Sequence, residues 1–275
     1  MHMDTIRSLG FIGGGNMASA IIGGICRNEY LPPEKIQVYD PDADKTAALQ
    51  KEWGIQAAEG IASLAAACDW VLLAVKPNII PQVLDETREA LGQTQPVVIS
   101  IAAGVSLDDL ESGLDPAIPI VRVMPNTPAM VGEGMSVLCG NKPAQVSILD
   151  TAVSLFRTIG KAVVMEEKYL DAVTAVSGSG PAYVCMFIEA LADGGVREGL
   201  PRDTAYTLAC QTVLGTARLI MDTNIHPGIW KDRVCSPGGT TIDAVRSLES
   251  GGFRATVMDA VSTCADKSRR LGKRA

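Results

Sequence analysis

The feature that most constrains the fold is a glycine cluster, Gly13-Gly14-Gly15-Asn16-Met17-Ala18. It stands between a strand-like apolar run, Ser8 to Ile12, and a helix-forming run, Asn16 to Arg27. The spacing fits G-x-G-x-x-A. Gly13 permits a tight turn, Gly15 lets backbone approach a ligand closely, and Ala18 permits close packing of helix on strand. The helix that follows offers first-turn N–H groups to an anion such as phosphate.

The same alternation continues through the first half of the chain. Strands are expected at 36–39, 55–57, 71–75, 97–101 and 120–124, with helices at 42–53, 61–67 and 78–91 between them. Val71 to Val75 is apolar throughout, as a strand covered on both faces should be. Strand and helix in strict alternation imply a doubly wound parallel sheet, a Rossmann domain that binds a dinucleotide. Edge strands at 135–138 and 162–165 are expected around a helix at 144–158. Beyond residue 166 the strand signals stop and helical runs take over. The expected architecture is therefore an α/β Rossmann domain, residues 1–165, and an all-α domain, residues 166–275, within the length of 275 residues. Ala182 to Ala192 and Thr204 to Met221 are apolar on nearly every side, and such helices must be covered all round. A segment of this size cannot easily wrap both. A second copy of the chain, in a homodimer or an assembly of dimers, is the expected cover.

Composition narrows the classes. Lys plus Arg is 24 against 31 for Asp plus Glu, a net charge of −7, which argues against a nucleic-acid surface. The basic C-terminal end, Lys267, Arg269, Arg270, Lys273 and Arg274, is expected to be a solvated helix end. The seven Cys are scattered without a C-x-x-C pair, which fits buried, reduced thiols in a cytoplasmic protein. No signal peptide and no membrane span are expected, and no metal.

The strand ends locate the coenzyme contacts. Ile12 through Met17 form the phosphate turn. Asp40, at the end of the second strand, can accept from the ribose hydroxyls of NAD and would repel the extra phosphate of NADP; as part of Asp40-Pro41-Asp42 it can equally be a turn residue. Ala74-Val75-Lys76-Pro77 closes the fourth strand. Ala102, Ala103 and Gly104 follow the fifth. Small residues there let backbone reach the coenzyme, and Lys76 can sit near ribose or nicotinamide.

The helical half carries two small-residue segments. Val176 to Tyr183, with Ser177 and Gly178, is expected to be a loop leading into a helix. Ser236-Pro237-Gly238-Gly239-Thr240-Thr241 is a second. Each offers amides and hydroxyls at a helix start, which suits a carboxylate, although Ser and Thr are also favoured there as plain caps. The chain has two His: His2 in the start segment, and His226 before Pro227, a turn or cap residue. A His-based hydroxy-acid dehydrogenase is poorly supported.

Together these stretches resemble the pyrroline-5-carboxylate reductase family: FIGGGNM (11–17), AVKP (74–77), SIAAG (100–104), MPNTP (124–128), DAVTAVSGSGPAY (171–183) and SPGGTT (236–241), in one register from residue 8 to about 270. The resemblance implies reduction of a cyclic imine to proline by NADP(H), with NAD(H) accepted. It implies a dimerising helical domain, with each active site between the Rossmann domain of one subunit and helices of the other. It also implies that the 236–241 loop holds the substrate carboxylate through Ser236 and the backbone of Gly238, Gly239 and Thr240. The Thr241 hydroxyl then lies near the ring nitrogen as the candidate catalytic group. Two positions depart from the family pattern, Glu59 where an Asn is common and Asn224 where an acid is common. A β-hydroxy-acid oxidoreductase of the same plan is the alternative; it needs a Lys in the first helices of the second domain, where only Lys168 stands. A catalytically silent coenzyme sensor would show a degraded substrate loop.

Overall fold

A computed structural model describes residues 5–272. His2, Lys273 and Arg274 lie outside the described residues.

Strand β1 (Leu9–Ile12) runs through the Gly13 turn into helix α1 (Asn16–Arg27). Then follow β2 (Ile36–Tyr39), α2 (Ala43–Trp53), β3 (Gln56–Ala57), α3 (Ile61–Ala67), β4 (Trp70–Leu73), α4 (Ile80–Thr94) and β5 (Val97–Ser100). After α5 (Leu107–Ser112) come β6 (Ile120–Met124), β7 (Gly134–Gly140), α6 (Val146–Phe156) and β8 (Gly160–Val164). Among the described residues eight strands form one sheet in the order β3-β2-β1-β4-β5-β6-β7-β8. The pairs are parallel except β6 with β7, which is antiparallel. The strand order reverses direction between β1 and β4, the point where doubly wound sheets open a ligand crevice.

Local sequence explains the elements. β1, β4 and β5 are buried at every position, because helices cover both faces of the sheet. One face is sealed by Ile21, Ile22 and Ile25 of α1 with Leu155 and Phe156 of α6. The other is sealed by Leu64 of α3, Val83, Leu84 and Leu91 of α4 and Leu110 of α5. Asp42 caps α2 by accepting from the Asp44 amide at 3.2 Å, and Gly54 ends that helix at φ +73°. Helix α5 is fixed by a capping box in which Ser106 accepts from the Asp109 amide at 3.0 Å. At the start of the sheet, Asp69 ties β1 to β4: it accepts from the Ser8 amide at 2.6 Å, the Ser8 hydroxyl at 2.7 Å and the Arg7 amide at 3.1 Å.

Helix α7 (Leu170–Val173) passes into a π-helical turn, Thr174–Gly178, where the Ser179 amide donates to the Thr174 carbonyl at 2.8 Å. The expectation of a loop across Val176–Ser179 is thereby corrected. Its small residues pack as helix, so the π turn leaves no open row of anion-binding amides at Ser177 and Gly178. Helices α8 (Gly180–Arg197), α9 (Arg202–Thr223), α10 (Pro227–Val234), α11 (Thr240–Ser250) and α12 (Phe253–Gly272) complete the chain.

Contacts divide the molecule into two compact units. One holds the sheet with everything to Ser179 and the chain from Cys264 onward; the other is Gly180–Thr263. In the sheet unit the end of α12 is anchored by the Ser268 hydroxyl, which donates to Asp171 at 2.6 Å. Arg269 there pairs with Asp266 at 2.6 Å in solvent, a plain helix end as expected.

In the helical unit α8 and α9 pack on one another, but only Ala192, Ala205 and Ala209 are fully buried. Met186 is 69% exposed and Leu214 62%. The run Glu167–Arg197 reaches the length and hydropathy of a membrane-crossing helix by composition alone. The thiols also differ from expectation. Cys68 and Cys139 are buried, whereas Cys185 and Cys210 are exposed.

Candidate active site

The switch point holds a cleft of about 780 Å³, within the size range of cofactor sites. Its floor is the G-x-G turn. The Gly13 amide donates to the Tyr39 carbonyl at 2.8 Å, and the Ala74 amide donates to the Ile12 carbonyl at 2.8 Å, so β1, β2 and β4 end together. Gly13 takes φ +105°, and a Cβ there would lie 2.7 Å from the Ala74 carbonyl oxygen. A side chain is excluded by both conformation and space. A Cβ on Gly15, by contrast, would meet nothing within 4 Å. That open face is what a pyrophosphate needs to approach the backbone at the start of α1.

Ile12, Gly13, Gly15, Asn16 and Met17 line this cleft, as do Asp40, Ala74, Val75, Lys76, Pro77, Ala102 and Ala103. Two of the expected residues stand back from it. Gly14 gives its amide to Asp40, and Gly104, at φ +80°, lies beside Leu271. Sequence reasoning missed Lys45, one turn into α2, and Met124, Pro125 and Thr127 at the end of β6, all of which line the cleft. A lysine five residues after Asp40, at the start of the following helix, and the MPNTP motif itself were the available signals.

Asp40 is the electrostatic centre of the cleft. Its Oδ2 accepts from the Gly14 amide at 2.8 Å and its Oδ1 from the Asp42 amide at 2.9 Å, with Lys45 Nζ 3.5 Å from Oδ1. Burial opposes its ionisation, but the two amides and the ammonium outweigh burial and hold the carboxyl below its ordinary range. Asp40 is thus both a turn residue and a charge facing the cleft.

Asn126 builds the adjoining wall. It donates to the Ser177 carbonyl at 3.0 Å and accepts from the Met135 amide at 2.8 Å, joining the π turn to β7. The Ser177 hydroxyl donates to the Val173 carbonyl at 3.1 Å. A Cβ on Gly178 would clash with the Met124 methyl group, so glycine there lets the π turn lie against the residue that lines the cleft.

The second motif lies in the helical unit. The Gly239 amide donates to the Ser236 carbonyl at 3.0 Å, closing a turn in which Gly238 takes φ +68°. A Cβ on Gly239 would collide with the Ser236 hydroxyl. Gly239 caps α11 without a side-chain bond, and Thr240 and Thr241 open the helix. The result is a glycine turn with uncapped helix-start amides, the backbone arrangement that suits a carboxylate.

His226 caps α10, its Nδ1 accepting from the Gly228 amide at 3.0 Å. Lys168 pairs with Glu166 at 2.7 Å on the surface, so it is not poised as a general base.

Comparison with known proteins decides the family. Residues 167–271 match the family model described as pyrroline-5-carboxylate reductase dimerisation. Residues 8–104 match that of NADP oxidoreductase, coenzyme F420-dependent. The pyrroline-5-carboxylate reductase of Escherichia coli is 48% identical over 97% of this chain and 99% of its own. The chain belongs to the pyrroline-5-carboxylate reductase family. The family's Synechocystis member is 47% identical over 97% of this chain and 98% of its own. Among solved structures, the reductase of Coxiella burnetii superposes with a TM-score of 0.91 at 36% identity, covering 98% of this chain and 99% of the other. The Plasmodium falciparum pyrroline carboxylate reductase, solved with NADP bound, gives 0.88 at 35% identity, covering 98% of this chain and all of the other. At the two departures from the family pattern, Glu59 is exposed while its neighbour Ile61 lines the cleft. Asn224 ends α9 in the left-handed conformation, φ +52°.

Proposed function

We propose that the protein reduces L-1-pyrroline-5-carboxylate to L-proline with NAD(P)H in the cleft at the β1–β4 switch point. The observation that carries this reading is 48% identity to the E. coli reductase across nearly the whole of both chains, with SPGGTT intact. The reduced nicotinamide supplies the hydride. The chain's residues bind and orient. Gly15 and the start of α1 hold the pyrophosphate, over the turn that Gly13 and Gly14 build with their amides bonded to Tyr39 and Asp40. Asp40 faces the ribose. Ala74 to Pro77, with Ala102 and Ala103, offer backbone and small side chains to the rest of the coenzyme, and Gly104 turns the chain behind them.

Ser236, Gly238, Gly239 and Thr240 are assigned the substrate carboxylate, with Ser177 and Gly178 as further neighbours of the substrate. The cyclic imine is easily protonated, and as an iminium it accepts hydride at its C=N carbon without a strong acid from the protein. Orientation and proximity then supply most of the rate. Thr241 positions the ring nitrogen or relays its proton, and the role of His226 as a cap is consistent with a reaction that uses no imidazole. Residues 166–275 serve as the substrate-binding and dimerising region, and a second copy of the chain is assigned as the cover of its apolar helices. A cytoplasmic location fits seven cysteines that all stand as free thiols.

Loss of reduced-nicotinamide absorbance on mixing with pyrroline-5-carboxylate tests this. NADPH and NADH are expected to be consumed only when substrate is present. Gly238→Trp is expected to cut turnover at least about a hundredfold through lost substrate orientation, with coenzyme binding retained. Folded, assembled protein that consumes neither coenzyme would sink the assignment. Turnover of a β-hydroxy acid in its place would promote the alternative.

A further inference from the structure

The junction of β2 with α2 carries two opposite charges that both line the cleft, Asp40 after the strand and Lys45 in the first turn of the helix, and their geometry assigns them separate tasks. Asp40 is held from behind by the Gly14 and Asp42 amides, at 2.8 and 2.9 Å. These bonds fix the carboxylate beside the glycine turn. In a dinucleotide the adenosine ribose is one linkage from the pyrophosphate, so its 2′ position falls at the end of β2. A carboxylate accepts about four hydrogen bonds, and the amides and Lys45 leave it capacity for one more.

Lys45 is the counterweight. Its Nζ lies 3.5 Å from Asp40 Oδ1 and 3.5 Å from Asp42 Oδ2, and its side chain is 48% exposed. It is held near two carboxylates at a distance longer than a close ion pair, with an ammonium that has three donors to give. The other cation lining the cleft, Lys76, follows β4 on the far side of the switch point. At the β2 end, then, an ionised Asp40 alone would repel a dianionic phosphate, and Lys45 is the group placed to offset that repulsion.

We propose that Asp40 and Lys45 form an opposed pair that sets coenzyme selectivity, Asp40 accepting from the 2′-hydroxyl of NAD(H) and Lys45 taking the 2′-phosphate of NADP(H). The inference rests on the cleft being the dinucleotide site. One chain thereby accommodates both coenzymes, and the ratio between them is set by two side chains outside the glycine motif.

The test titrates wild-type protein, Lys45→Met and Asp40→Asn with ADP-ribose and 2′-phospho-ADP-ribose by calorimetry, with KM for NADH and NADPH in parallel. Lys45→Met is expected to weaken the phosphorylated ligand about tenfold, the scale of one charge-assisted contact, and to leave ADP-ribose within about twofold. Asp40→Asn is expected to weaken ADP-ribose about fivefold and to tighten the phosphorylated ligand, because one hydrogen bond is lost and a repulsion removed. Asn keeps a carbonyl oxygen for the Gly14 amide. The two variants therefore move the selectivity ratio in opposite directions. Equal losses for both ligands, or an unchanged ratio, would overturn the proposal, and Lys45→Met alone decides it should Asp40→Asn not fold. Wild-type protein that binds neither fragment would bring down the dinucleotide reading itself, and the proposal with it.

Discussion

Helices α1 and α8 are both rich in apolar residues, yet the two are treated differently. Ile21, Ile22 and Ile25 of α1 are fully buried against the sheet. On α8, Met186, Phe187 and Leu191 are exposed, and Ala192 alone is fully buried. The contrast extends to their units. The sheet offers each neighbouring helix a broad apolar face, so cores form on both sides of it. The helical unit offers only other helices, and its fully buried core is three alanines. Large side chains buried at a helix–helix contact need further helices to surround them, and Gly180–Thr263 lacks enough chain to supply them. The sheet unit is self-sufficient in burial, and the helical unit is built to be covered.

Charging the exposed face is expected to have the greatest consequence. Met186→Glu with Leu214→Glu places two carboxylates where a second copy is expected to seat. Desolvating each costs several kcal/mol, so assembly is expected to weaken by at least about a thousandfold. Sedimentation at micromolar concentration should then show monomer, with the sheet unit still folded and still binding coenzyme. An unchanged assembly would show that this face is not the interface.

Two phenylalanines, one in each unit, should respond differently to truncation. Phe156 is fully buried beneath the sheet, whereas Phe187 is 39% exposed and touches Phe253 with ring centroids 6.0 Å apart. Phe156→Ala is expected to cost about 3–5 kcal/mol at any protein concentration. Phe187→Ala is expected to cost about 1 kcal/mol in dilute monomer and more once copies associate. Urea unfolding at two protein concentrations measures both. Equal, concentration-independent losses would mean that the helical unit closes its own core.

The two units also differ in how far they could be read from residues alone. In the sheet unit the fold follows from local chemistry. The all-apolar 71–75 run marks a covered strand, and G-x-G-x-x-A marks the turn after β1, because those patterns have few other uses. The antiparallel turn into β7 was not legible, since it depends on pairing partners distant in sequence. Helix α5 was announced by its Ser106/Asp109 capping box but is short enough to pass unnoticed. The small residues 176–179 suggested a loop because Ser and Gly favour loops in isolation. Only the packing of Gly178 on Met124 and the bonds of Asn126 explain why they are helical. Lys45 escaped for a similar reason: on a sequence it is a solvated helix lysine, and its position at the cleft comes from the turn that Asp40 builds.

The smallest expected loss concerns the carboxylate that ties the two central strands of the sheet unit, β1 and β4, at their start. Burial raises the cost of ionising Asp69, but the Ser8 hydroxyl, the Arg7 and Ser8 amides and the Arg7 side chain outweigh it, so the folded carboxyl titrates below its ordinary range. A carboxyl depressed in the folded state stabilises the fold above its unfolded pKa, about 3.9. That contribution is lost as pH falls through the folded value, where the unfolded chain has already bound its proton. Asp69→Asn is therefore expected to cost about 1–2 kcal/mol at neutral pH, the scale of a hydrogen bond to a charged group. The gap from wild type should narrow as the pH drops through the carboxyl range. Because the staple joins Ser8 to the start of β4, the loss should appear in unfolding of the sheet unit and leave the monomer–dimer balance untouched. A pH-independent gap would mean that Asp69 acts through shape and not charge. A shift in the assembly equilibrium would mean that the two units are not energetically separate.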